Sequence, residues 1–136
     1  MRAPRVLNDL FLPPKNLAIL NWQNFRPGVE VAWTYNGGDR SLASAFLRYQ
    51  AGSSIPWHWH PACEHIFVLE GSQYDENGTY LPGTVLINPP GSSHTVRSES
   101  GCLVFAVWEK PVDFSPSSHA AYWREKEENE VDTNQQ

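Results

Sequence analysis

Apolar residues in this chain recur at every second position or in short unbroken runs, and glycine, proline or Asn-Gly ends each run within four to nine residues. Residues 28–36 alternate, with Val29, Val31, Trp33 and Tyr35 on one face and Glu30, Thr34 and Asn36 on the other. Asn36-Gly37-Gly38-Asp39 is a turn, and 41–50 reads as the returning strand of a hairpin. A strand over 53–60 follows Gly52 and bends at Pro56 and Pro61. Residues 64–70 are mostly apolar on both faces, which predicts burial on both sides. Residues 74–80 carry an Asn-Gly hairpin signal. Further strands are expected over 84–88, 94–97 and 102–108, and a short edge strand over 17–20. A helix is expected to start at Ser117 or Ser118, with a polar, frayed end over 127–136.

The pattern predicts an all-β domain of sandwich or barrel type. It divides into an N-terminal arm (1–27), a barrel (28–116) and a C-terminal extension (117–136). Composition agrees: eleven prolines and nine glycines suit turns between strands and argue against a helical bundle. A chain of 136 residues is long enough for one real core.

Charge narrows the partners. The net charge is −5, mostly from the acidic end after Arg124, and no basic stripe is present. Nucleic-acid binding is therefore not expected. The longest apolar run, 102–108, is too short for a bilayer, and Pro4, Pro13 and Pro14 break any signal-like segment. Cys63 and Cys102 form no CxxC pair and no disulfide framework. A soluble cytoplasmic protein is expected.

Candidate chemistry lies in Gly52-x5-His58-x-His60-x3-Glu64-x6-Gly71 and Gly83-x5-Pro89-x-Gly91-x2-His94. His58 and His60 project from one face of a strand, Glu64 shares their parity, and His94 must come from another strand. Imidazole nitrogen and carboxylate oxygen suit a divalent transition metal. Fe(II) or zinc is expected first, manganese or nickel next, at one ion per chain. Cys63 has the wrong parity, His65 is expected to be packed, and His119 to be exposed.

These two blocks resemble the two cupin motifs, with Ser98 where the second motif often ends in asparagine. The resemblance implies a single-domain jelly-roll barrel with His58, His60, Glu64 and His94 as metal ligands. It also implies a homodimer in which the arm is lent to the partner. Segments 60–64, 68–71, 75–78, 88–94 and 98–102 look like the cupin domain of ChrR-type anti-sigma factors. Acetylacetone dioxygenase-like small cupins lie in the same neighbourhood. In the dioxygenases three histidines hold iron, which would leave Glu64 as a base beside the ion. ChrR-type proteins also carry an N-terminal zinc-binding domain that grips the sigma factor. No His/Cys cluster precedes residue 58 here, so a sigma-factor partner is not expected.

Three functions follow from that resemblance. The first is a non-haem Fe(II) dioxygenase acting on a small β-dicarbonyl or related compound. The second is a zinc-binding sensor or binding module without catalysis, and the third is a metal-dependent isomerase or hydrolase. Tyr49, Arg48, Phe46 and Phe105 are the residues expected to line a substrate pocket. Trp57 and Trp59 should pack outside the barrel, against a second subunit.

Overall fold

The computed structural model describes residues 3–38 and 41–134. Two antiparallel sheets face one another. The larger runs β1 (Gln23–Arg26), β2 (Val29–Asn36), β3 (Ala43–Tyr49), β10 (Cys102–Trp108), β5 (Glu64–Gly71) and β8 (Val85–Asn88). The smaller runs β4 (Ser53–Trp59), β9 (Ser93–Ser98), β6 (Gln73–Asp75) and β7 (Gly78–Tyr80).

The alternation sets the inner face. Val29 and Val31, Ala45 and Leu47, Ile66 and Val68, and Val104 and Ala106 meet Ile55 and Val96 of the smaller sheet. Each fully buried aliphatic side chain of this kind stabilises the fold by about 1.5–3 kcal/mol. The outer face of the larger sheet is apolar too, and the arm covers it: Leu10, Leu17, Leu20 and Trp22 pack over Ala32, Phe46 and Leu103. This is why the central strands read as apolar on both sides.

Two local expectations are corrected. Residues 17–20 form no strand; Leu17–Ile19 is a single 3-10 turn whose leucine anchors the arm. The edge strand is instead β1, whose one apolar residue, Phe25, is too weak a signal to show in the sequence. In β2 the pairing with β3 shifts register between Trp33 and Tyr35, so Tyr35 leaves the inner face and is exposed.

The C-terminal helix α1 (Pro116–Asn134) also runs further than expected, through the stretch read as frayed from 127. Residues 135 and 136 lie outside the described part. Proline at its first position and the Ser115 hydroxyl, which accepts from Ser118 N–H at 3.2 Å, set its start. No described helix is long and apolar enough to cross a membrane.

Candidate metal centre

Register brings the candidate residues together. In the β4–β9 pair His58 stands opposite His94, and a register shift between Ile55 and His58 lets both of those residues face inward. The prolyl residue Pro56 lies in that bulge, where its missing N–H costs no ladder bond. His60 follows β4 and is held by backbone bonds to the turn before β9: its N–H donates to Ser92 O at 2.9 Å, and Gly91 N–H to His60 O at 2.7 Å. Glu64 opens β5 on the opposite sheet, in register with Asn88 on one side and Trp108 on the other.

All four are buried, at 1–4% exposure. The three imidazoles are oriented by their Nδ1 atoms. His58 Nδ1 lies 2.8 Å from Pro56 O, His60 Nδ1 2.9 Å from Ser92 Oγ, and His94 Nδ1 2.9 Å from Asp75 Oδ2. A carbonyl and a carboxylate can only accept, and Ser92 Oγ gives its own proton to Pro89 O at 2.6 Å. Each Nδ1 is therefore the N–H, and each Nε2 offers its lone pair inward.

Those lone pairs converge. One nitrogen of each of the three rings lies within 4.8 Å of the others, and His58 Nε2 and His94 Nε2 are 3.0 Å apart. Two acceptors at that distance repel unless a cation lies between them. His60 Nε2 is buried with no hydrogen-bond partner. Nitrogens that share an ion at ~2.0–2.1 Å stand about 3 Å apart, so the donor set fits a divalent metal.

Glu64 sits beside this cluster. Its Oε1 is 3.2 Å from His60 Nε2 and accepts from Asn88 Nδ2 at 2.8 Å, while its Oε2 accepts from Trp108 Nε1. Both oxygens are engaged, and the convergent set is the three histidines. Burial alone would raise the Glu64 carboxyl, but the neighbouring imidazoles, His60 above all and then His94 and His58, outweigh it when protonated and bring it down to about 2. Burial pushes the His58 imidazole down to about 4, against the pull of Pro56 O.

These shifts have a sign. Unfolded His58 gains its proton near pH ~6.5, and the folded form resists to about pH 4. The metal-free protein should lose stability as pH falls through that window. Glu64 is stabilising above its unfolded value of ~4.3 and loses that contribution as pH falls towards 2. Thermal melts in chelator should thus show Tm falling continuously below about pH 6.5. A flat Tm between pH 6.5 and 4 would contradict the burial of His58.

Asp75 escaped the sequence reading. Its position at the head of an Asn-Gly turn signals only turn chemistry, and its Oδ1 does accept from Asn77 N–H and from Tyr80 Oη, both at 2.8 Å. The meeting of its Oδ2 with His94 depends on the single β6–β9 pairing, Tyr74 with Arg97, which no local pattern announces. Burial raises the Asp75 carboxyl, but the bonds from His94 and Tyr80 hold it below the ordinary range. Asp75→Ala should weaken metal binding by about 10–100-fold, read by competition with a chelating dye. Unchanged affinity would mean that His94 needs no orienting partner.

The cavity beside the histidines is only about 30 Å³. Tyr49 and Gln73 line it with Ile66, Val112, Phe25 and Phe114. Gln73 Oε1 is buried without a partner, another polar atom the sequence did not single out. Burial holds the Tyr49 phenol well above its usual range, so it remains a donor.

Of the four residues expected at a pocket, only Tyr49 stands here. Arg48 lies on the outer face, paired to Glu30 at 3.1 Å with its guanidinium 4.0 Å from the Trp22 ring. Phe46 and Phe105 also face outward, flooring a depression of about 470 Å³ under the arm. Strand parity explains this, because Tyr49 and its odd-numbered neighbours point inward.

His119 is not an exposed residue; it is half-buried between Trp57 and Trp59, with ring centroids 5.5 and 5.2 Å away. The chain's own α1 thus packs against both tryptophans, with Tyr122 also 5.3 Å from Trp59. Cys63 and His65 are half-buried and lie outside the histidine cluster. Ser98, at the place of the expected asparagine, is buried and donates to Ser72 O at 2.6 Å.

Comparison with known proteins agrees with this fold. An RmlC-like cupin protein from Ralstonia eutropha JMP134 superposes with a TM-score of 0.62 at 20% identity, over 68% of this chain and 65% of that one. ChrR of Rhodobacter sphaeroides, an anti-sigma protein crystallised in complex with SigE, gives 0.60 at 26% identity, over 68% of this chain and 50% of that one. The match thus spans less than two thirds of either relative. An acetylacetone dioxygenase from Acinetobacter johnsonii gives 0.65 at 14% identity, over 86% and 85% of the two chains. No curated protein matches in sequence. The family model of the ChrR cupin-like domain matches residues 15–112. A cupin fold with three convergent histidines and that match lead to one assignment: this chain belongs to the ChrR cupin-like domain family.

Proposed function

We propose that the chain is a metal-dependent enzyme, a non-haem Fe(II) dioxygenase acting on a small β-dicarbonyl or similar enolisable compound. The observation that carries this is the trio of buried Nε2 lone pairs, each aimed by a fixed acceptor on its Nδ1. His58, His60 and His94 would hold the ion. Bound iron supplies Lewis acidity for chelating substrate oxygens and access to O2 chemistry. The chain's residues provide the rest. Tyr49 donates and Gln73 Oε1 accepts at the cavity wall, which suits an enol and its carbonyl. Glu64 stays anionic, offsets the positive charge of the ion and holds its place through Asn88 and Trp108. Phe25, Ile66 and Phe114 keep bulk water from the centre. The likeness to an acetylacetone dioxygenase supports the substrate class.

Oxygen uptake tests the reading. Protein loaded anaerobically with Fe(II) should consume O2 with at least one member of a β-dicarbonyl panel; no uptake with any would overturn it. Turnover without O2 would move the reading to an isomerase or hydrolase. A second reading, a zinc-binding module, is favoured by the small cavity, which has room for little more than one water. It predicts tightly held zinc and no turnover.

A further inference from the structure

Outside the metal cavity lies a second hollow of about 370 Å³, a volume suited to a small organic molecule. Phe25, Trp108, Val112 and Phe114 belong to the walls of both, so they form the partition between them. Phe114 reaches both sides of it. Its ring lies 5.5 Å from that of His58 on one side, and the residue is still 36% exposed on the other. The residue before it is tied to β4, since Asp113 makes two backbone bonds to Trp59, at 2.8 and 3.0 Å.

The hollow has a definite chemistry. Trp33 and Trp108, with ring centroids 5.8 Å apart and planes inclined at 53°, give it an angled aromatic wall. Arg26 is the charged group in its lining, and no carboxylate lines it among the described residues. The Arg26 guanidinium sits 4.3 Å from the centroid of the Phe114 ring and makes no ion pair with a described residue. A cation resting on the gate, without a counter-ion, is placed to receive an anion.

The geometry points to this hollow as a vestibule for a flat or chain-like apolar molecule bearing a carboxylate. Arg26 pairs with the carboxylate, the tryptophans pack on the apolar body, and Phe114 swings aside to admit the reactive end to the histidines. The inference rests on the proposed reaction centre for its direction, and it narrows the substrate to an enolisable carbonyl compound with a distal carboxylate. The small cavity fits this division, since it need hold only the reacting end.

Binding to metal-free protein tests the vestibule apart from any turnover. Quenching of tryptophan fluorescence should show phenylacetate and hexanoate binding at least tenfold more tightly than their amides. Arg26→Ala should abolish that preference while leaving amide binding unchanged, and Arg26→Lys should restore part of it. Equal binding of acids and amides by the unaltered protein, or acid binding indifferent to Arg26→Ala, would overturn the assignment. Phe114→Ala should let a chelator strip bound metal at least tenfold faster, and an unchanged rate would remove Phe114 as the gate. Arg26-dependent binding without O2 uptake from any β-dicarbonyl, carboxylates included, would sink the oxygenase reading and leave the vestibule standing. Uptake unaffected by Arg26→Ala would do the reverse.

Discussion

Replacing His60 by alanine is expected to take the chain from about one bound metal ion to almost none, with the strands intact. His60 is the imidazole whose inward nitrogen makes no hydrogen bond, with Glu64 Oε1 3.2 Å away. Its ring is held on the far side by Ser92, so binding requires little reorganisation. Removal leaves two histidines and a carboxylate already engaged by Asn88 and Trp108. The loss should exceed the ~10–100-fold that follows removal of an outer hydrogen-bond partner. The backbone bonds of residue 60 to Gly91 and Ser92 need no side chain and survive the change. Metal analysis alongside circular dichroism checks both halves. Full metal occupancy in the folded variant would show that the histidine cluster is not the site.

The second large effect concerns Gly71. Its φ is +69°, and an added Cβ would fall 2.0 Å from Gly101 O and 2.9 Å from Cys102 Cα. Both obstacles are backbone of the neighbouring strand connection, so no rotamer change relieves them. The left-handed conformation costs an L-residue ~1–2 kcal/mol. Forcing the strands apart adds about 1–3 kcal/mol. Gly71→Ala should therefore lower Tm by about 10 °C or more. Gly52→Ala is the comparison, with φ +83° but nothing within 4 Å of the new atom. Only the backbone cost remains there. Equal losses in the two variants would refute the steric account.

These cases show what the sequence could and could not display. The spacing of His58, His60 and His94 was legible because strand parity is local, and so was the alternation that buries Val29, Val31 and Leu47. The sides of Phe46 and Phe105 were not legible, since both faces of the larger sheet are apolar and only the packing of the arm distinguishes them. Asp75 and Gln73 were missed because a turn residue and a lone glutamine carry no periodic signal. The cupin resemblance implied Glu64 as a ligand, or as a base beside the ion. Its bonds to Asn88 and Trp108, side chains set opposite it by strand register, were not legible there.

One glycine near the metal centre serves two masters. Gly91 N–H holds His60 O, while Gly91 O lies 2.7 Å from His119 Nε2 and accepts from Trp123 Nε1 of α1 at 3.1 Å. A side chain at residue 91 would collide with Trp123 and Tyr122, so the helix can sit there only against bare backbone. Docking of α1 and occupation of the histidines therefore draw on the same turn. By reciprocity, an ion that stiffens His60 must also slow hydrogen exchange in the first turns of α1, and loss of α1 must loosen the ion by an equal free energy.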